Sequence, residues 1–393
     1  MRRTTRSLLI FIGLSALGSS GASAGPTRLF ERWHAQSTAR TQAVSCDSVG
    51  IQRSGALYEI CMPFTPWTGD LVLYAHGYTA PHSALTIPSE ADLFAGVFGL
   101  SGRAFAVTSF RSNGLVVQDG IQDLQELLEL FIAEHGAPGR VYLIGASQGA
   151  LIATLALERR PEFYDGALAL CGPLGSFEAQ VDTFTDFRVV FDYFLPGLLP
   201  PSATEVPDTL IEDWSEVYGT SIRPLVLDPA QAATLDQLFG VTGAAFDVAA
   251  PETRENTVSG LLWYNVNASQ DAATRLGGQP YDNADRRYQG SVDDTALNAG
   301  VVRFVADPLA RAQLQSLYET TGLLERPLVT LHTTGDEIVP YSQSTRYAEK
   351  VAAQHRTPFL DPITVDRYGH CEFEPLEILG AFDRLVRLVD ATD

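Results

Sequence analysis

Lysine is all but missing from this sequence: of 27 basic residues in a chain of 393, only Lys350 is not arginine. No Lys/Arg run stands in the body of the chain, and 47 acidic residues bring the net charge to −20. Binding nucleic acid requires a clustered basic surface that displaces counterions, so no nucleic-acid partner is expected, and docking on anionic lipid is opposed on the same ground. Beyond Gly25 no uninterrupted apolar stretch is long enough to cross a bilayer, so no membrane anchor is expected there. Internal repeats and low-complexity linkers are lacking as well. The acidic stretches "DNAD" and "VDDT" are too irregular for a calcium loop, and no metal or other cofactor is expected.

What is present is a large apolar fraction, 45% of the residues, enough to bury a sizeable core. The first two dozen residues have the build of an export signal. Arg2, Arg3 and Arg6 precede the short apolar run "SLLIFIGLSALG", and Ala22-Ser23-Ala24 forms an A-x-A cleavage site. A secreted or periplasmic protein is therefore expected, with residues 1–24 as signal peptide. In such an oxidising compartment four cysteines, Cys46, Cys61, Cys171 and Cys371, suggest two disulfides with three possible connectivities. Cys46 and Cys61 end a stretch that reads as two short strands around "RSG", where a bridge would staple a hairpin; this leaves Cys171 with Cys371.

Short β-rich runs at 70–75, 103–110, 140–145, 166–170, 327–332 and 363–367 alternate with helical spacing. The helical stripe is clearest over 118–134, where Ile121, Leu124, Leu127, Leu128 and Phe131 share a face, and similar stripes follow Ser147, Ser342 and Pro375. Such alternation predicts an α/β fold with a mostly parallel sheet covered by helices on both faces. The rhythm breaks over 176–324, which carries Pro/Gly breaks and many aromatics, among them Phe177, Phe184, Trp214, Trp263 and Tyr264. An inserted cap at 176–324, between two parts of a core at 25–175 and 325–393, is the expected organisation.

Gly145-Ala146-Ser147-Gln148-Gly149 matches G-x-S-x-G at the exit of a strand and the entrance of a helix. Glycines two residues either side allow a bend tight enough for the serine to project above the sheet. Serine is a poor nucleophile near neutral pH and needs a base, which in turn needs an acid to fix its tautomer. Downstream, "GDEIVP" places Asp336 just past one strand and "YGHCEF" places His370 just past the next. Asp336 is preferred to its neighbour Glu337 because it directly follows the turn glycine. Of the other histidines, His76 and His332 suit structural roles, while His34, His82, His135 and His355 lie outside the triad order.

These three motifs, in this order on the alternation, resemble those of the α/β-hydrolases over roughly 57–175 and 326–389. The resemblance implies Ser147 as nucleophile, Asp336 as acid and His370 as base. It also makes "YAHGYT" the oxyanion loop, with the backbone N–H groups of Tyr78 and Gln148 as donors. The His370-Cys371 pair is similar to that of tannase and feruloyl-esterase proteins, in which a disulfide joins a cysteine after the histidine to one just before the serine. Ala146 occupies the second position here, so the chain departs from that pattern; a Cys171–Cys371 bridge would tether the histidine loop by another route. The resulting expectation is an exported serine hydrolase of carboxylic esters, small or polymeric, with an apolar or aromatic substrate group under the cap. A secreted serine exopeptidase on the same fold is the alternative, and a non-catalytic binding protein is a weaker one, because such a protein has no reason to keep all three motifs.

Overall fold

The computed structural model describes residues 43–392. The export signal expected at 1–24 and His34 lie outside these residues. Among the described residues nine strands form one sheet: β1 (Val44–Cys46), β2 (Gly50–Ile51), β3 (Leu57–Pro63), β4 (Asp70–Ala75), β5 (Ala104–Thr108), β6 (Arg140–Ala146), β7 (Gly166–Leu170), β8 (Leu328–Gly335) and β9 (Leu360–Tyr368). Their order is β1-β3-β5-β4-β6-β7-β8-β9, with β2 also paired to β3. From β5 through β9 every pairing is parallel, whereas β1, β2 and β5 each pair antiparallel with β3. The parallel strands are buried along nearly their whole length in the centre, as expected where helices cover both faces.

Those helices are α1 (Ala91–Leu100), α2 (Val117–His135), α3 (Gln148–Arg159), α4 (Phe177–Phe194), α5 (Ala232–Thr242), α6 (Thr253–Leu276), α7 (Pro308–Leu317), α8 (Ser342–Ala353) and α9 (Pro375–Thr392), with shorter helical turns between α4 and α7. One apolar cluster combines Leu71, Leu73 and Leu143 with Leu124, Leu127 and Phe131 of α2 and Leu151 and Leu155 of α3. On the opposite face Val72, Tyr74 and Ile144 pack with Phe94 and Phe98 of α1 and Phe382 and Leu385 of α9. All of the chain between β7 and β8 is helix, turn or loop, and it builds a third cluster from Phe187, Phe191, Trp214, Leu238, Leu261 and Leu262.

The strands lie where the apolar runs stand, but three details differ. The N-terminal segment contributes three strands rather than two, because Val44–Cys46 also adds to β3, placing Cys46 directly opposite Cys61. β9 begins at Leu360 rather than Ile363: Pro362 would interrupt a central strand, but β9 is at the sheet edge, where a missing N–H is tolerated. β8 runs on through Thr333 to Gly335, carrying the strand up to Asp336.

Both expected disulfides are present, Cys46–Cys61 and Cys171–Cys371. The first closes a loop with a sequence separation of 15, for which chain entropy assigns about 3 kcal/mol. The double variant Cys46→Ala/Cys61→Ala is therefore expected to melt several degrees below the parent. An unchanged melting temperature in calorimetry would show that pairing of β1 and β3 is independent of the bridge.

Candidate active site

The backbone at Ser147 is in an unusual region, φ 55° and ψ −121°, uncommon for a residue with a side chain. Its neighbours make the turn possible. A Cβ on Gly145 would fall onto the Gly149 carbonyl, and one on Gly149 would fall onto the carbonyls of Ala75 and His76. The Ser147 amide donates to Leu170 O at 2.9 Å, pinning the turn to the end of β7. Ser147 therefore stands half-buried at the C-terminal end of β6, at the head of α3.

Asp336 follows β8 and His370 follows β9, so all three side chains belong to one edge of the parallel sheet. His370 Nε2 is 2.9 Å from Ser147 Oγ, and His370 Nδ1 is 2.8 Å from Asp336 Oδ2. Asp336 is buried, and its Oδ1 also accepts from the amides of Ile338 (3.0 Å) and Val339 (2.8 Å). Glu337 makes no such contact with His370: its Oε2 is buried without a hydrogen-bond partner. The adjacent carboxyls are thus driven apart. Burial alone would raise Asp336, but the imidazoles of His370 and His332 outweigh it and hold that carboxyl well below the usual range. Glu337 lacks such partners, so burial and the Asp336 charge push it up to about 7.

His332 was expected to be a core histidine. It bonds Val339 O through Nε2 (2.9 Å), but it is also 3.4 Å from Asp336 Oδ2, giving the carboxylate a second imidazole. The signal was its position four residues before Asp336, on the strand that Asp336 follows. Thr333, also missed, donates to Gly369 O (2.7 Å) and holds the loop just before His370. His76 meets Gly77 O (2.8 Å) and Ser109 O (3.2 Å), stacks on Phe110, and its basicity is lowered by burial.

A Cβ on Gly77 would lie 3.4 Å from Ser147 Cβ, so the "HGY" loop runs beside the serine. Among the described residues, the amides of Tyr78 and Gln148 have no hydrogen-bond acceptor within the chain. Tyr78 itself is fixed by its phenol, which donates to Asn267 O of α6 at 3.0 Å, and Gln148 by its side chain, which donates to Gly114 O at 3.0 Å. Behind the histidine, Cys371 joins Cys171 at the end of β7, and both cysteines have positive φ, 57° and 47°. Cys171, His370 and Cys371 cluster as metal ligands do, but both sulfurs are bonded to each other, leaving no thiolate.

Residues 111–251, which include Ser147, match the family described as serine aminopeptidase, S33. That match agrees with the fold that the sheet and the turn at Ser147 show. The chain has the α/β-hydrolase fold. An o-phthalyl amidase of Xanthobacter agilis is 21% identical over 331 residues, covering 69% of this α/β-hydrolase and 72% of the amidase. Similar solved structures include an esterase of Pyrococcus furiosus, at 12% identity over 90% of this chain and 92% of that one, with a TM-score of 0.45. Feruloyl esterase B from Aspergillus oryzae, at 15% identity, covers 80% and 71% with a TM-score of 0.49.

Glu337 gives this α/β-hydrolase a testable pH signature. The folded chain keeps the Glu337 proton up to about pH 7, whereas an ordinary glutamate releases it near 4.5. Folding therefore takes up a proton in that window, and stability falls as pH rises through it. Glu337→Gln should raise the melting temperature at pH 8, by roughly a few degrees, and change it little at pH 4.5. A gain equal at both pH values would show that Glu337 does not titrate in this way.

Proposed function

We propose that this α/β-hydrolase is an exported serine hydrolase that cleaves carboxylic esters through an acyl-enzyme. The carrying observation is the unbroken hydrogen-bonded line from Ser147 Oγ through His370 to the buried Asp336 carboxylate. In this reading Ser147 Oγ attacks the ester carbonyl carbon while His370 Nε2 takes the hydroxyl proton. The carbonyl π electrons move to oxygen, and the amides of Tyr78 and Gln148 bind that oxyanion. The intermediate collapses, and His370 returns the proton to the departing alkoxide, leaving the acyl group on Ser147. Water then repeats the sequence and releases the acid. Asp336 accepts the Nδ1 hydrogen throughout, which leaves Nε2 free as the base.

Residues 176–324 act in this reading as a cap, since Phe177, Val181 and Phe184 of α4 and Tyr264 of α6 close over a cavity that also touches Ser147. Export is supported by the two disulfides, which suit an oxidising compartment; among the described residues no helix is long and apolar enough to cross a membrane. The match to a serine aminopeptidase family and the likeness to an amidase favour a second reading, cleavage of amides. Against a free-N-terminus peptidase, no charged side chain among the described residues lines the cavity to hold an α-amine.

A fluorophosphonate should label the parent protein and leave Ser147→Ala unlabelled. Labelling that survives the substitution would relocate the nucleophile. Asp336→Asn should retain the fold while kcat for p-nitrophenyl acetate falls by about four orders of magnitude. Near-parent activity would remove Asp336 from the role of acid. Aminoacyl-p-nitroanilides tested beside acyl esters should turn over far more slowly; the reverse order would establish the amide reading.

A further inference from the structure

We infer that the cavity at Ser147 selects the acyl half of the ester and admits only a short, uncharged acyl group of about two to four carbons. This inference rests on the ester reading above. The cavity has a volume of about 60 Å³. A benzene ring is taken up by cavities of roughly 150 Å³. The space is thus under half of one that takes a benzene ring, which suits a short aliphatic chain rather than a ring.

The acyl half is assigned by where the proton must go. His370 has to protonate the leaving oxygen, so the alcohol stands on the His370 side of Ser147. The cavity touches Ser147, Gln148 and Tyr78 but not His370, so it receives the other half of the substrate. Its walls are largely apolar, including Leu115, Val181 and Ile338, and two of its polar side chains are already engaged. Gln180 Nε2 donates to Ile338 O at 2.7 Å, and Ser269 Oγ accepts from Asn265 Nδ2 at 3.3 Å. A carboxylate on the acyl chain would be desolvated there with no cation to pair with it among the described lining residues.

The far wall is rigid. The rings of Phe184 and Tyr264 stack with centroids 4.8 Å apart and planes 10° from parallel, and both residues are buried. Tyr264 is braced in turn by Tyr78 at 5.9 Å, on the loop beside Ser147. A longer chain has to displace this stack, whereas Ala268 faces the same space from α6 with no bulk.

The test is steady-state hydrolysis of p-nitrophenyl esters from acetate to decanoate, with phenyl and naphthyl acetates as a leaving-group series. In the parent, kcat/KM should fall at least about tenfold between butyrate and hexanoate and vary much less across the acetates. Phe184→Ala should raise the hexanoate-to-acetate ratio at least about tenfold, and Ala268→Leu should lower the butyrate-to-acetate ratio by a similar factor. The second variant carries the test if the first does not fold. A parent that prefers octanoate or benzoate to acetate, or ratios that neither variant moves, would overturn the size limit while leaving the ester reading intact. Failure to cleave any ester, with a normal melting curve and intact fluorophosphonate labelling, would overturn the ester reading and the inference with it.

Discussion

The turn at Ser147 is the constraint on which the rest of the site depends. A serine at φ 55° costs on the order of 1–3 kcal/mol and persists only where its surroundings leave no other conformation. Here the surroundings are backbone. Gly149 packs against the carbonyls of Ala75 and His76, Gly145 against Gly149, and the Ser147 amide is held by Leu170 O. Because α3 approaches the end of β4 so closely, the loop after β4 runs beside the serine, and the free amides of Tyr78 and Gln148 belong to the same cramped corner.

The histidine side is fixed by different means. β9 is an edge strand with an alternating, half-exposed pattern, a poor platform for a residue whose ring lies 2.9 Å from a serine three strands away. The loop that follows is tied down at three points: Thr333 holds Gly369 O, the Cys171–Cys371 bridge ties the residue after His370 to the end of β7, and Asp336 holds the ring itself. Tannase-like proteins anchor that loop to the residue before the serine. Here Ala146 cannot, and the neighbouring strand supplies the cysteine. That strand is within reach because β7 pairs directly with β6, Leu170 opposite Ala146.

Asp336 and Glu337 show how little the residue type decides. Neighbours in sequence, both lose water, yet one is surrounded by two imidazoles and two amides and the other has an oxygen with no partner. The first stays ionised across the neutral range and the second is pushed to about 7. Between β7 and β8 the charges pair instead: Arg286 with Asp182 and Asp186, and Arg311 with Glu178 and Asp182, fastening α4 to the chain that precedes β8. This places Phe184 over the cavity while keeping carboxylates out of its lining.

Local features of the sequence determined the alternation of strand and helix, the G-x-S-x-G bend and the order of serine, acid and histidine. Each follows from contacts between residues a few positions apart: period-two and period-3.6 burial, and a turn that only small residues can close. That Asp336 rather than Glu337 meets His370 accords with its place directly after Gly335. Other features depended on partners far away in the chain. The edge position that admits Pro362, the capture of Cys371 by Cys171 and the stacked Phe184 and Tyr264 all require strands or helices to meet across tens or hundreds of residues. The aromatics between β7 and β8 were plain in the sequence, but which of them fill their own core and which face Ser147 was decided only by packing. An isolated helix shows which residues are apolar; only the folded chain determines what each apolar face is turned towards.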